Sequence, residues 1–216
     1  MFMAVSPQDG DVSPSSSVGA AFVRPELAVH TEGEPRRAQV ETFIRSVFAR
    51  RYGADVQHFA PVLVSLQDRG EIVAAAGYRS AAGAPLFLER YLPSSVDALL
   101  GSQTDGRPPR GSVVEVGNLA SSRAGEGRRL ISLLGPYLAS QGFQWVVGTM
   151  TTELRHLFVR IGVTPLALGT ADPAALGPDA ALWGTYYDHR PVVLAGHLTQ
   201  ALRHMARRSG ASKGTP

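Results

Sequence analysis

Residues 112–149 decide the fold. They read SVVEVGNLA (112–120), SSRAGEG (121–127), RRLISLLGPYLAS (128–140) and, after Gln141-Gly142, FQWVVGT (143–149). The first and last stretches are short and rich in β-branched residues, as strands are. The second is a glycine-bearing loop. The third sets Leu130, Ile131, Leu134, Tyr137 and Leu138 on one helical face. Pro136 lies inside that helix; a mid-helix proline costs about 3 kcal/mol and is expected to kink it.

Working outward, Pro35 suits a first helical turn. Val40, Phe43, Ile44, Val47 and Phe48 then form an apolar stripe that Gly53 ends. Phe59–Gln67 and Glu71–Ser80 read as antiparallel strands joined through Asp68-Arg69-Gly70, and Leu86–Leu92 is a short piece of undecided type. Beyond the 101–111 loop and the decisive stretch, Thr151 or Thr152 caps a helix with stripe Leu154, Leu157, Phe158 and Ile161, ending at Gly162. Asp172-Pro173 starts a turn. Tyr186 and Tyr187 are read as alternating across a strand. A last strand at Val192–Leu194 and a helix over 196–208 follow. The mixture predicts an α/β (α+β) fold. Residues 1–20 are expected to be a flexible leader, 21–208 a single domain and 209–216 a flexible tail.

The chain has 216 residues, of which 44% are hydrophobic, enough for one sizeable core. It has no cysteine, which excludes disulfides, thiolate metal sites and a cysteine nucleophile. Its bases are 20 Arg and Lys213, against 18 acids, for a net charge of +3. That mild excess, without a basic stripe, argues against nucleic acid. No apolar run reaches the roughly 20 residues of a membrane span, and the N-terminus lacks signal-peptide character. A cytoplasmic protein without stable membrane insertion is expected. His30, His58, His156, His189, His197 and His204 form no metal-binding spacing, so no metal is expected. The serine-rich runs at 13–17 and 121–122 lack the context of a hydrolase nucleophile. His156 lies off its helix stripe and is expected in solvent.

A strand that runs through a glycine loop into a helix leaves N–H groups and a helix dipole that attract phosphate. Gly125 and Gly127 allow close approach, and Arg123, Arg128 and Arg129 add positive charge. The loop is neither a P-loop nor a dinucleotide fingerprint, since no Gly-Lys-Ser/Thr follows and Leu130 stands at the third glycine position.

With the strands and helices around it, from 113 to 165, this loop resembles the acyl-CoA-binding half of GNAT acyltransferases. Ser122-Arg123-Ala124-Gly125-Glu126-Gly127 matches both small positions of the Q/R-x-x-G-x-G/A consensus but puts Ser at the first. From about 36 to 200 the chain resembles the thermostable hemolysin family. Gly77-Tyr78-Arg79, LFLERYL (86–92), EVGNLA (115–120), Ala171-Asp172-Pro173 and WGTYYD (183–188) carry that resemblance. The family's fold is similar to that of acyl-homoserine-lactone synthases, whose Glu-x-x-Arg corresponds here to Glu115-Val116-Gly117-Asn118, without the Arg.

The resemblance implies a GNAT-like mixed sheet with splayed central strands. It also implies transfer of an acyl group from acyl-CoA, or from a phosphopantetheine-bound chain on an acyl carrier protein, to a small-molecule amine. Arg123, Gly125, Gly127 and Arg128 would hold the phosphate end, and Leu119 and Ala120 would pair with pantetheine. Glu115, mid-strand between valines, is the favoured general base or ligand of the substrate amine, because burial would raise its pKa, against an ion pair with one of the many arginines. Glu89 is second, against a salt bridge of its own. Asn118 would bridge a water or the acceptor, against a plain bulge role. Phe158 stands where many GNAT enzymes place a proton-donating Tyr, so either another group such as Tyr186 or Tyr187 takes that role or the thiolate leaves unprotonated. Trp145 and Trp183 are expected in the core rather than along an acyl channel. The rival readings are a membrane-active cytolysin and a non-catalytic acyl-binding module. The acceptor, the acyl length and the oligomeric state are not fixed by the sequence.

Overall fold

The computed structural model describes residues 27–160 and 163–211, with side chains through Arg207. The expected leader, the helix stop at Ile161-Gly162 and the tail beyond 211 lie outside the described residues. One seven-stranded sheet has the order β1-β2-β3-β4-β5-β7-β6. Its strands are β1 (Leu27–His30), β2 (Val62–Asp68), β3 (Glu71–Ser80), β4 (Val113–Ser121), β5 (Trp145–Met150), β6 (Leu166–Thr170) and β7 (Val192–His197). The helices are α1 (Arg37–Tyr52), α2 (Val96–Gln103), α3 (Glu126–Ser140), α4 (Thr152–Arg160) and α5 (Leu198–Ala211).

The two faces of β2 and β3 follow the two-residue alternation of strands. Val64, Leu66, Ala74 and Ala76 pack under Leu130, Leu134 and Leu138 of α3 and Leu198 of α5. Leu63 and Ala75 pack on the opposite face under Val40, Ile44 and Phe48 of α1. A third cluster joins Leu88, Val96 and Leu100 to Val113, Val147 and Val193. The β2–β3 turn places Arg69 (φ 51°) and Gly70 (φ 85°) both at positive φ, the pattern of a two-residue hairpin with the right twist. β2 starts at Val62 rather than at 59, since Pro61 has no N–H for a ladder. α3 runs on through Pro136.

β4 and β5 position the site. They are parallel and pair only at Val113↔Trp145, Val114↔Val146 and Glu115↔Val147. β5 stays paired to β7 as far as Met150, so β4 and β5 part beyond Glu115. β4 also bulges: Gly77↔Gly117 and Ala75↔Ala120 leave Asn118 and Leu119 opposite Ala76 alone. Asn118 takes φ 51° there, a conformation Asn tolerates better than most residues.

Several elements differ from the sequence reading. β1, α2 and β6 were not expected, and 86–92 contains a 3-10 helix, Phe87–Tyr91. Residues 173–189 hold no strand. Two 3-10 segments, kinked at Gly177, span Pro173–Trp183, and a further one spans Tyr186–His189. Prolines 173 and 178 disfavour a ladder, while Asp172 Oδ1 accepts the Ala174 N–H at 2.9 Å and starts the first turn. Tyr186 and Tyr187 therefore do not alternate across a strand.

Candidate functional site

A cleft of about 680 Å³ opens where β4 and β5 part. Its walls come from the end of α1, residues 55–60, the 87–91 turn, α4 and the 176–186 segment. Two of these walls, remote in sequence, are tied together at the backbone. The Tyr52 carbonyl accepts the Thr185 N–H at 2.8 Å, and the Leu182 carbonyl accepts the Asp55 N–H at 2.7 Å. Gly184, at φ 52°, closes this seam, where a Cβ would lie 2.0 Å from the Tyr52 carbonyl oxygen. Only glycine fits there.

Aromatic rings line this end. Phe48 stacks on Tyr186 at 6.4 Å between centroids, and Trp183 lies 5.3 Å from Tyr186 and 6.0 Å from Phe87. Trp183 thus faces the cleft, whereas the sequence reading placed it in the core. Trp145 does pack away from the cleft, against His197 at 5.0 Å. The Tyr186 hydroxyl donates to the Thr149 carbonyl at 3.3 Å, on β5 beyond the parting. Burial pushes its pKa above the ordinary tyrosine value. Phe158 is not among the cleft-lining residues, whereas Leu154 and Leu157 of its helix are. Thr151 Oγ1 accepts the Leu154 N–H at 3.5 Å, placing the cap at Thr151, and His156 is exposed.

Glu115 forms the floor at the last β4 position paired to β5, and it is only 8% exposed. Its Oε2 accepts the Phe87 N–H at 2.9 Å and its Oε1 the Leu88 N–H at 3.1 Å. Burial raises its pKa, opposed by those two N–H groups and by Arg79. Arg79 of β3 is its cross-strand partner, with Nε 3.5 Å from Oε2, and also lines the cleft. Sequence reasoning missed Arg79 as a site residue. Its signal was present in Gly77-Tyr78-Arg79, but only the β3–β4 register sets it opposite Glu115.

Asn118 and Leu119 reach the cleft. Asn118 Oδ1 accepts the Ala60 N–H at 3.4 Å, which fastens the bulge to the 55–60 wall. Ala120 is buried under α1. In the glycine loop, Gly127 lines the cleft beside Ser121. Gly125 precedes α3 at φ 90°, where an L side chain is strained. Arg128 is exposed, and Arg123 lies 3.7 Å from Asp68; neither is among the lining residues. Glu89 is also outside the cleft. Its carboxylate accepts the Leu86 and Val96 N–H groups at 2.7 and 2.9 Å and meets Arg110 at 2.7 Å. Burial works to raise its pKa, but Arg110 and these N–H groups hold it below the ordinary value. The adjacent Arg90 instead stacks on Phe87. Among the described residues no cluster of three His, Cys, Asp or Glu suits a metal ion.

A mixed sheet splayed at one parallel pair, with a glycine loop and helix after the bulged strand, defines a GNAT-like fold. Solved structures share it. BjaI, a CoA-dependent acyl-homoserine lactone synthase solved with SAM and isopentyl-CoA, matches with a TM-score of 0.58 at 15% identity. The match spans 87% of this chain and 90% of BjaI. FeeM, an N-acyl amino acid synthase from uncultured soil microbes, matches at 0.57 and 11%, over 87% and 99% of the two chains. TofI matches at 0.56 and 20%, over 84% and 96%. No curated protein matches in sequence. The thermostable hemolysin family matches residues 30–202, and the chain belongs to that family.

Proposed function

We propose that the protein is an N-acyltransferase that moves an acyl group from an acyl-CoA or acyl-carrier-protein thioester to a small amine. The observation that carries this reading is the buried Glu115 carboxylate, held by two backbone N–H groups on the floor of the cleft where β4 and β5 part. β4 has no β5 partner beyond Glu115, which leaves room for a pantetheine arm beside Leu119 and Ala120. The amides around Gly125 and Gly127 would take the donor's phosphate at the start of α3, with Arg123 and Arg128 adding charge at its rim. An acidic carrier protein suits such a rim.

Glu115 draws the acceptor ammonium and takes one of its protons, a role that a raised pKa suits. The amine nitrogen attacks the thioester carbonyl, the N–C bond forms, and the C–S bond breaks as the thiolate leaves. Tyr186, held protonated by burial, is the candidate proton source in place of the absent tyrosine at 158. Asn118 braces the bulge, and Glu89 acts as a positioning residue through the 87–91 turn that carries the N–H groups on Glu115. Phe158 favours a second reading, a module that binds an acyl donor without turnover. Among the described residues no helix is long and apolar enough to cross a membrane.

The test is thiol release from acyl-CoAs and carrier-bound acyl chains offered with mixed amines. The chain has no cysteine, so a thiol reagent reports only liberated donor. Amine-dependent release is expected. Donor binding without release across the panel would favour the binding module. Intact donor binding after Gly127→Leu would overturn the assigned donor site.

A further inference from the structure

Glu115 and Arg79 face one another as register partners on adjacent strands, and both line the cleft. Their 3.5 Å separation makes an ion pair with a poor hydrogen bond. The Arg79 side chain is 32% exposed, and its terminal nitrogens donate to no described protein group. A planar fork with free donors is the side chain suited to bidentate capture of a carboxylate. Asp55, Glu153 and Asp179 also line the cleft, and so do Arg51, Arg90 and Arg160, so the lining as a whole favours neither sign of charge. What singles out Arg79 is its open fork beside the carboxylate that would hold an ammonium.

We infer that the amine acceptor is an α-amino acid with an apolar or aromatic side chain. This rests on the acyl-transfer reading for Glu115. The ammonium sits on Glu115 and the carboxylate, one carbon away, on the Arg79 fork. The ring wall supplies the third contact. Phe87, whose N–H is held by Glu115, lies 6.0 Å from Trp183 and presents an apolar surface to the acceptor's side chain. The product is an N-acyl amino acid: the ammonium gives up two protons, one passing through Glu115 to solvent and one restoring the leaving thiol.

Calorimetric titration tests this with L-leucine and L-phenylalanine against their decarboxylated counterparts, 3-methylbutylamine and 2-phenylethylamine, with and without saturating CoA. A charge-assisted bidentate contact predicts on the order of 10- to 100-fold tighter binding of the amino acids. Arg79→Gln should bring each pair within about twofold, and Arg79→Lys should restore part of the gap, with melting curves confirming that each variant folds. Equal binding of acid and amine by the unmodified protein overturns the inference, as does no binding of either or a preference that survives Arg79→Gln. Thiol release run in parallel separates the two readings. Release driven only by simple amines would sink this inference and keep acyl transfer. Arg79-dependent amino-acid binding without release from any donor would keep the amino-acid site but overturn its role as acceptor, together with acyl transfer.

Discussion

Arg110 and Arg79 each stand beside a glutamate, but their donors are used in opposite ways. Arg110 gives Nε to the Ala81 carbonyl at 2.8 Å and its terminal nitrogens to Glu89, Asp97 and the Ala84 carbonyl. Glu89 in turn ties the start of the 87–91 turn to the start of α2. Arg79 offers Glu115 only a 3.5 Å contact, and the backbone N–H groups on Glu115 come from that same turn. The saturated pair builds the wall, and the unsaturated pair faces the space the wall encloses. Charge pairs with every donor satisfied hold structure, whereas an open donor beside a buried carboxylate is available to a ligand.

The harshest way to break this contrast is Arg110→Ala. It leaves the Glu89 carboxylate without its cation and Asp97 with Arg107 alone, a loss on the order of 3–5 kcal/mol, read by urea unfolding. An unfolding midpoint equal to that of the parent would show that the network is not structural. Glu115→Gln should act on rate instead. Loss of a general base predicts thiol release slower by about 10²–10⁴, with a smaller fall in melting temperature than Arg110→Ala produces. Comparable melting losses for both would erase the distinction.

Acid sharpens it further, because the two carboxylates near these arginines shift in opposite directions. Burial works to raise the Asp97 pKa, but Arg110 and Arg107 win and hold it at about 2, below the ordinary 3.8. Its stabilisation is therefore complete above about 3.8 and lost as pH falls through about 2, worth up to about 2 kcal/mol. Glu115 is raised above 4.5, so its contribution is complete below 4.5 and lost as pH rises through its folded value. Asp97→Asn should thus cost least at low pH, while Glu115→Gln should gain on the parent as pH rises from 4 to 7. Parallel pH slopes for the two variants would contradict these assignments. The smallest effect is expected at Gly125, where φ is 90°. Gly125→Ala should cost roughly 1–2 kcal/mol of stability, by thermal melting, before any effect on donor binding is counted.

Much of this was legible locally. The β2–β3 hairpin, the β4–loop–α3–β5 run and the isolation of Glu115 between valines follow from periodicity and from the rarity of a mid-strand carboxylate. β1 and β6, with four and five residues, fell below what a pattern can signal. Tyr186-Tyr187 misled because two aromatic residues in a row look strand-like, yet Pro173, Pro178 and the turns at Gly177 and Gly184 coil the segment into 3-10 helix. Arg90 adjoins Glu89 in sequence but stacks on Phe87. Arg110, twenty-one residues on, pairs with Glu89 instead because the 3-10 turn aims the two neighbours apart.

The sequence by itself determined the order of the central elements, the family and the presence of a carboxylate that a core strand does not tolerate without a partner. Short-range periodicity and composition suffice for those. Only the tertiary structure decided which arginine serves which glutamate, that Trp183 faces the cleft, and that β4 and β5 part immediately after Glu115. Those facts depend on strand register and on contacts between residues far apart in sequence, such as Thr185 on Tyr52, 133 residues away. Local pattern carries no record of such distances.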